Sequence, residues 1–322
     1  MGADTAISWA NDTFNIAIGC AKVSEACAHC YAERDMESGR YGDRFKGAWG
    51  VKRYSLSDNY WKQPLTWQRK AAAEGTRRRV FCSSLCDVFE QHPIVDAQRA
   101  RLWELIAQTP NLDWLLLTKR PEYAAQVWPW ATIAEAPANV WLGVTAENQR
   151  RLDERAPILL DIPARLHFLS VEPHLGDMDV RAYLGCRTCA LHTGTQGRCP
   201  GCFTGATGVG WVICGGESGP QARPTHPDWV RSLRDQCREV GVAFHFKQWG
   251  EWAPGECANN LPSRSERTAT WWNGKWDYET LTPKQSEETH ADDAPDVYRL
   301  GRNAAGRLLD GELHDAVPQI AA

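Results

Sequence analysis

Trp114-Leu115-Leu116-Leu117-Thr118-Lys119-Arg120 is the stretch on which the fold turns. Four consecutive apolar residues leave no polar face, which is how a strand covered on both sides reads. The polar Thr118, Lys119 and Arg120 then end it. Trp211-Val212-Ile213-Cys214 has the same character and runs into the glycine-rich Gly215-Gly216-Glu217-Ser218-Gly219. Outward from these two, further short apolar segments lie at 14–18, 79–83, 140–144, 166–171 and 243–247, making seven candidate strands with 114–118 and 210–214. Helical patterns fall between them. Over 95–108, Leu102, Leu105 and Ile106 share a face, Asp96 is a candidate cap and Pro110 stops the run. Over 228–240, Trp229, Leu233, Cys237 and Val240 form a stripe that Gly241 ends. Alternating strands and helices imply a parallel sheet. Seven strands over about 250 residues suit an α/β fold of the full or partial β/α (TIM-like) barrel type. A doubly wound sheet is the alternative.

The chain has 322 residues, 43% hydrophobic and 24% charged, so a large buried core is expected and global disorder is not. A net charge of −4 gives no overall drive toward nucleic acid or acidic membranes, although a local basic cleft is compatible with it. Residues 1–10 lack the pattern of a signal peptide, and no apolar run is long enough to span a bilayer. The expectation is a cytoplasmic protein with no membrane partner. The 16 tryptophans are assigned to the core and to cleft walls.

Twelve cysteines in a reducing compartment point to metal or redox chemistry rather than to disulfides. Seven fall in two tight groups. In the first, Cys20, Cys27 and Cys30 lie in Gly19-Cys20-Ala21-Lys22-Val23-Ser24-Glu25-Ala26-Cys27-Ala28-His29-Cys30-Tyr31, just past the first candidate strand. Three thiolates can hold a four-iron cluster and leave one iron open to a cofactor. A structural zinc completed by His29 or Cys82, or a set of buried thiols, are the other readings of the same residues. The second group, Cys186-x2-Cys189-x9-Cys199-x2-Cys202, has the spacing of a zinc ribbon, with four thiolates closing a tetrahedral shell around structural Zn2+.

The expected domains are a barrel over 1–254, carrying the iron–sulfur loop and a ribbon insertion at 185–208, and a polar extension over 255–322. Within the extension, Trp271-Trp272-Asn273-Gly274-Lys275-Trp276 reads as a hairpin about an Asn-Gly turn. The charged stretch 284–296 reads as a loop, and 297–300 with 307–309 as a last hairpin.

At this point a resemblance enters. The run Gly19-Cys20 through Cys27-Ala28-His29-Cys30-Tyr31-Ala32-Glu33 resembles the start of a phage-associated three-Cys-motif family of unknown function. Further stretches match in order: Leu117-Thr118-Lys119-Arg120-Pro121, Phe168-Leu169-Ser170-Val171-Glu172-Pro173, Cys214-Gly215-Gly216-Glu217-Ser218-Gly219-Pro220 and Phe246-Lys247-Gln248-Trp249-Gly250. The family's motif arrangement is similar to that of radical S-adenosylmethionine (SAM) enzymes. The resemblance implies a partial barrel of the radical SAM type, a 4Fe-4S cluster, and SAM cleaved to a 5′-deoxyadenosyl radical. One departure is that six residues separate Cys20 from Cys27, where the superfamily has three.

In a barrel, polar residues at the strands' C-terminal ends face one cleft. Asp87, Lys119, Arg120, Glu147, Asn148, Glu172, Glu217, Lys247 and Gln248 hold such positions. In the radical SAM picture Gly215, Gly216, Glu217 and Ser218 bind the cofactor, and Lys119, Arg120, Glu172 and Lys247 face the substrate. The resemblance implies a nucleic-acid or nucleotide-related substrate, with a protein partner encoded nearby as a further expectation. The competing function is a non-catalytic, zinc-stabilised barrel that binds nucleic acid or a protein.

Overall fold

The computed structural model describes residues 2–185, 208–257, 265–289 and 295–318. The second cysteine group, Cys186, Cys189, Cys199 and Cys202, and with it the expected zinc ribbon, lies outside the described residues. Seven strands form one sheet: β1 (Asp12–Phe14), β2 (Arg78–Cys82), β3 (Leu112–Thr118), β4 (Val140–Thr145), β5 (Leu166–Val171), β6 (Val209–Gly215) and β7 (Ala243–Gln248). Every adjacent pair is parallel, and the order across the sheet is the order along the chain. A doubly wound sheet needs a point where that order reverses, and this sheet has none. Right-handed crossovers that always step the same way put the helices on one face. The sheet is therefore a curled, open half-barrel in which β1 and β7 are edges.

The two faces separate by the period of two. Val80, Trp114, Leu116, Leu142, Val144, Leu169, Val212 and Cys214 pack outward with Leu102, Ile106, Leu152, Leu159, Val230 and Leu233 of the helices. Those helices are α3 (Pro93–Ala107), α5 (Gln149–Asp161) and α6 (Pro227–Val240); α1 (Tyr31–Glu37), α2 (Gln63–Glu74) and α4 (Pro121–Val127) complete the series. Phe81, Leu115, Trp141, Phe168, Trp211 and Ile213 point into the half-barrel, around Trp9. Trp9 sits 4.6 Å from Phe81 and 6.4 Å from Trp211, ring to ring, so aromatic rings fill this end. The open side is crossed by both ends of the chain. Ser8 Oγ lies 2.8 Å from His245 Nε2, the Phe246 N–H donates to His314 O, and Trp211 Nε1 donates to Ala316 O.

Several expectations need correction. The first candidate strand, 14–18, divides: β1 joins the sheet, while Ala17–Ile18 pairs antiparallel with Tyr54–Ser55. Between them the buried Asn15 takes the Leu85 N–H on its side chain and gives its own N–H to Tyr60 Oη, which turns the backbone out of the sheet. The cap of α3 is His92, whose Nδ1 accepts from the Ile94 N–H; Asp96 lies in the first turn and binds Arg99 and Tyr123.

The Asn-Gly hairpin forms as read. Strands β8 (Glu266–Trp272) and β9 (Lys275–Leu281) pair Trp271 with Trp276, and Asn273 and Gly274 both take positive φ, +50° and +78°. The last hairpin does not form. β10 (Val297–Tyr298) pairs with β8 instead, because Val297 belongs to the buried cluster of Ala222, Trp252 and Ala269. The charged stretch begins with a helix, α7 (Pro283–Thr289), rather than a loop. Among the described residues, no helix is long and apolar enough to cross a membrane.

Candidate active site

The three-cysteine loop lies at the C-terminal ends of the strands and is clamped there by its backbone. Gly19 N–H donates to Leu85 O, Gly50 N–H to Cys20 O, Ala21 N–H to the Glu90 carboxylate, and Ala26 N–H to the Glu147 carboxylate. Arg120 donates to Ala21 O at 2.8 Å, and Arg223 donates to Glu25 O at 3.0 Å. Gly19, at φ +108°, is required: a Cβ there would lie 2.5 Å from Lys52 O and 2.6 Å from Ala48 O. Beyond the loop Cys30 holds the N-cap position of the short α1, without a side-chain cap hydrogen bond.

Behind Cys20 stands a buried ion network. Glu90 takes Arg53 through two bonds of 2.5 and 2.6 Å and also accepts from Arg120; Arg120 in turn holds Asp87 at 2.9 Å. Asp87 accepts as well from the Thr118 hydroxyl and the Lys119 N–H, tying the end of β3 to this network. Arg120 Nη1 reaches Cys20 Sγ at 3.8 Å.

Cys20, Cys27 and Cys30 all line one cavity of about 480 Å3 at the barrel mouth. That is within the size range of small-molecule sites. Its walls also include Asp87, Lys119, Arg120, Glu172, Glu217, Lys247 and Gln248, so seven of the nine expected strand-end residues converge. Glu147 and Asn148 lie elsewhere: Glu147 is buried against Arg155 and Asn148 caps α5 through the Arg151 N–H. Sequence reasoning missed Thr145 and Ser170, inward-facing hydroxyls in the cavity wall, and the anchors Arg53, Glu90 and Arg223. The hydroxyls follow from the inward register of β4 and β5; the anchors had no local signal.

Each expected site residue has a definite environment. Lys247 pairs with Glu172. Lys119 has no carboxylate partner among the described residues, and its ammonium lies near Cys30. Glu217 takes Arg223 through both oxygens, at 2.7 and 2.9 Å, accepts the Arg223 N–H, and lies 3.3 Å from His29 Nδ1. Burial alone would push the Glu217 carboxyl up, but Arg223 and His29 hold it below the ordinary carboxylate range. Gly216 sits where a Cβ would fall 1.8 Å from Trp249 O, so close packing of two backbones requires glycine there. Gly215 faces Glu172, and Ser218 Oγ accepts from Gln248 Nε2 at 2.8 Å.

The donor set decides what the cysteines fit. Among the described residues no group of three or more His, Cys, Asp or Glu side chains is gathered to hold a single metal ion. A tetrahedral zinc with bonds of about 2.3 Å needs its sulfurs roughly 3.8 Å apart. His29 is also committed to Glu217, and the Cys82 thiol is buried in the apolar core beside the Ser83 hydroxyl. A four-iron cluster takes each thiolate on a different iron, which suits three cysteines spread around a cavity. Burial pushes the Cys20 thiol up to about 12 and raises that of Cys30. Free thiolate nucleophiles are disfavoured in that setting, whereas a metal that takes the thiolate directly offsets the penalty. Three thiols lining one cavity are the donor set that a cluster with one open iron would use.

Fold and site together define a parallel β/α half-barrel with three cysteines at its mouth. The chain belongs to a family described as "Protein of unknown function (DUF5131)", whose model matches residues 4–318. No curated protein matches the sequence. Among solved structures, spore photoproduct lyase with bound AdoMet and dinucleoside spore photoproduct is similar at a TM-score of 0.42 and 11% identity, over 91% of this chain and 76% of that one. A second form of spore photoproduct lyase gives a TM-score of 0.43 at 11% identity with the same coverage. At such scores the likeness assigns neither a site nor an activity to this chain.

Proposed function

We propose that this protein is a radical SAM-type iron–sulfur enzyme, with Cys20, Cys27 and Cys30 holding a 4Fe-4S cluster. The observation that carries the reading is that these three cysteines, on a loop clamped by six backbone hydrogen bonds, line one cavity at the barrel mouth together with unpaired and paired charges. A cluster held by Cys20, Cys27 and Cys30 would supply, with SAM bound beside it, one-electron radical chemistry. This chain's residues bind and orient. Gly216 and Ser218 bring backbone and a hydroxyl to the cavity edge beside Glu217, where SAM would be seated, and Gly215 lies against Glu172. Glu217 keeps its charge through Arg223, so its part there is to fix His29 and the cysteine loop as much as to meet the cofactor. Arg120 holds the Cys20 segment, and Lys119, with no acid partner among the described residues, is the cation available to an anionic substrate. The Glu172–Lys247 pair can give a proton to, or accept one from, a substrate group without a net change in cavity charge. Aromatic and cationic side chains in the cavity lining, Tyr31, Tyr41, Trp49, Arg34 and Arg302, favour a nucleotide or nucleic-acid substrate.

Anaerobic reconstitution tests the ligand set. The wild-type protein is expected to take up iron and sulfide and show broad visible absorption, and Cys20→Ala, Cys27→Ala and Cys30→Ala each to lose it. Equal absorption in all three variants, or zinc in place of iron in anaerobically purified protein, would count against the assignment.

A further inference from the structure

The C-terminal three-stranded sheet carries a group of side chains that the catalytic reading does not use. Arg267 on β8 lies with its guanidinium 4.9 Å from the centre of the Tyr278 ring and 5.8 Å from that of Trp252. Arg299, just past β10, lies 5.9 Å from the same Trp252 ring. Neither guanidinium meets a carboxylate among the described residues. Among the described residues, Arg299 donates to two carbonyls, Pro220 O at 2.6 Å and Gly219 O at 3.3 Å, and Arg267 meets the two rings. Most other arginines near the mouth are neutralised: Arg223 by Glu217, and Arg150 and Arg151 by Glu25. Among the described residues these are two positive charges without a carboxylate partner, on a chain of net charge −4. Tyr278 is 44% exposed, so part of its ring is free to stack.

This patch is continuous with the site. Gly219 and Pro220, which Arg299 grips, line a hollow of about 200 Å3 together with His29, Cys30 and Arg34. His29, Cys30, Arg34 and Ser218 line the main cavity too, so the hollow opens onto it. Guanidiniums suit phosphate oxygens, while an exposed aromatic beside them suits a base of any identity.

We propose that Arg267, Arg299 and Tyr278 form a docking surface for single-stranded nucleic acid, which leads the strand to the cavity past Pro220 and Arg34. The two arginines hold the phosphodiester backbone and Tyr278 stacks a base. The proposal rests on the nucleotide-substrate part of the preceding reading but not on the cluster, so the two can fail separately.

The test is fluorescence anisotropy with a labelled 20-nucleotide oligothymidylate on the full-length, anaerobically reconstituted protein. Binding is expected to weaken with salt. Arg267→Gln, which loses no hydrogen bond of the fold, is expected to bind about tenfold more weakly. With Arg299→Gln added, the slope of log K against log salt should flatten by about 1.4, at roughly 0.7 per single-strand phosphate contact. Tyr278→Ala should weaken binding at least fivefold, in line with about 1–3 kcal/mol per stacked base. Iron content should stay at the wild-type level in all variants. Absence of oligonucleotide binding by iron-loaded wild-type protein, wild-type affinity in Arg267→Gln and Tyr278→Ala, or displacement by polyglutamate of equal charge would overturn the surface. Arginine-dependent binding by protein that takes up no iron would uphold the surface and remove the cluster.

Discussion

Glu90 shows how much of this site rests on residues that never touch a reacting group. Its carboxylate neutralises Arg53, receives the Ala21 N–H and supports Arg120, all at 7% side-chain exposure or close to it. Glu90→Gln leaves the Arg53 guanidinium, 2% exposed, without its counter-charge. Loss of one partner of a buried pair costs about 3–5 kcal/mol. The variant should therefore be destabilised by about 3 kcal/mol in denaturant and should retain less iron than wild type; a change below about 1 kcal/mol with full iron retention would show that the network does not hold the loop. In the sequence Lys119, Glu172 and Lys247 were expected at the cleft because they end apolar runs, and Cys20, Cys27 and Cys30 because they cluster past the first strand; all six line one cavity. That Lys247 meets Glu172, or that Arg223 occupies Glu217, was not. Those pairings depend on how far the sheet curls, which residue type at a strand end does not encode.

At the scale of elements, the inward register explains a glycine in mid-strand. Gly143 on β4 faces Phe168 on β5, and a Cβ there would lie 2.4 Å from a ring that is wholly buried. Overpacking of this kind typically costs about 1–3 kcal/mol. Gly143→Ala should lower the unfolding midpoint accordingly, and an unchanged midpoint would mean that the half-barrel interior is looser than drawn. β3 and β6 were readable from local sequence because burial on both faces makes them continuously apolar. β1 was misplaced because it runs Asp12–Phe14, so that of the expected 14–18 only Phe14 stays in the sheet before Asn15 turns the chain out. β10 lies within the expected strand 297–300, but its partner was not readable. Two residues carry no signal for which strand they join, and their pairing with Thr268 and Ala269 is set by long-range burial.

At the scale of the whole molecule, the core carries histidines that must remain neutral. His167 and His174 are both pushed down to about 4 by burial; His167 donates through Nε2 to Ile162 O, and among the described residues Nδ1 of His167 and Nε2 of His174 are buried without a partner. Between the unfolded value near 6.5 and the folded value near 4, the unfolded chain binds more protons, so stability rises with pH there. Acidification from pH 6.5 toward 4 should lower unfolding free energy by up to about 3 kcal/mol per pH unit for the two together. Denaturant titrations at pH 7, 6 and 5 check this, and a flat profile would mean that these rings reach water in the native state.

The half-barrel, the clamped loop and the cavity serve one chemistry on this account. Reduced, iron-loaded protein incubated anaerobically with SAM and assayed for 5′-deoxyadenosine tests it most directly. The nucleoside is expected to accumulate with wild-type protein and to stay at background with Cys27→Ala; background levels from wild-type protein that carries its full iron would contradict the account.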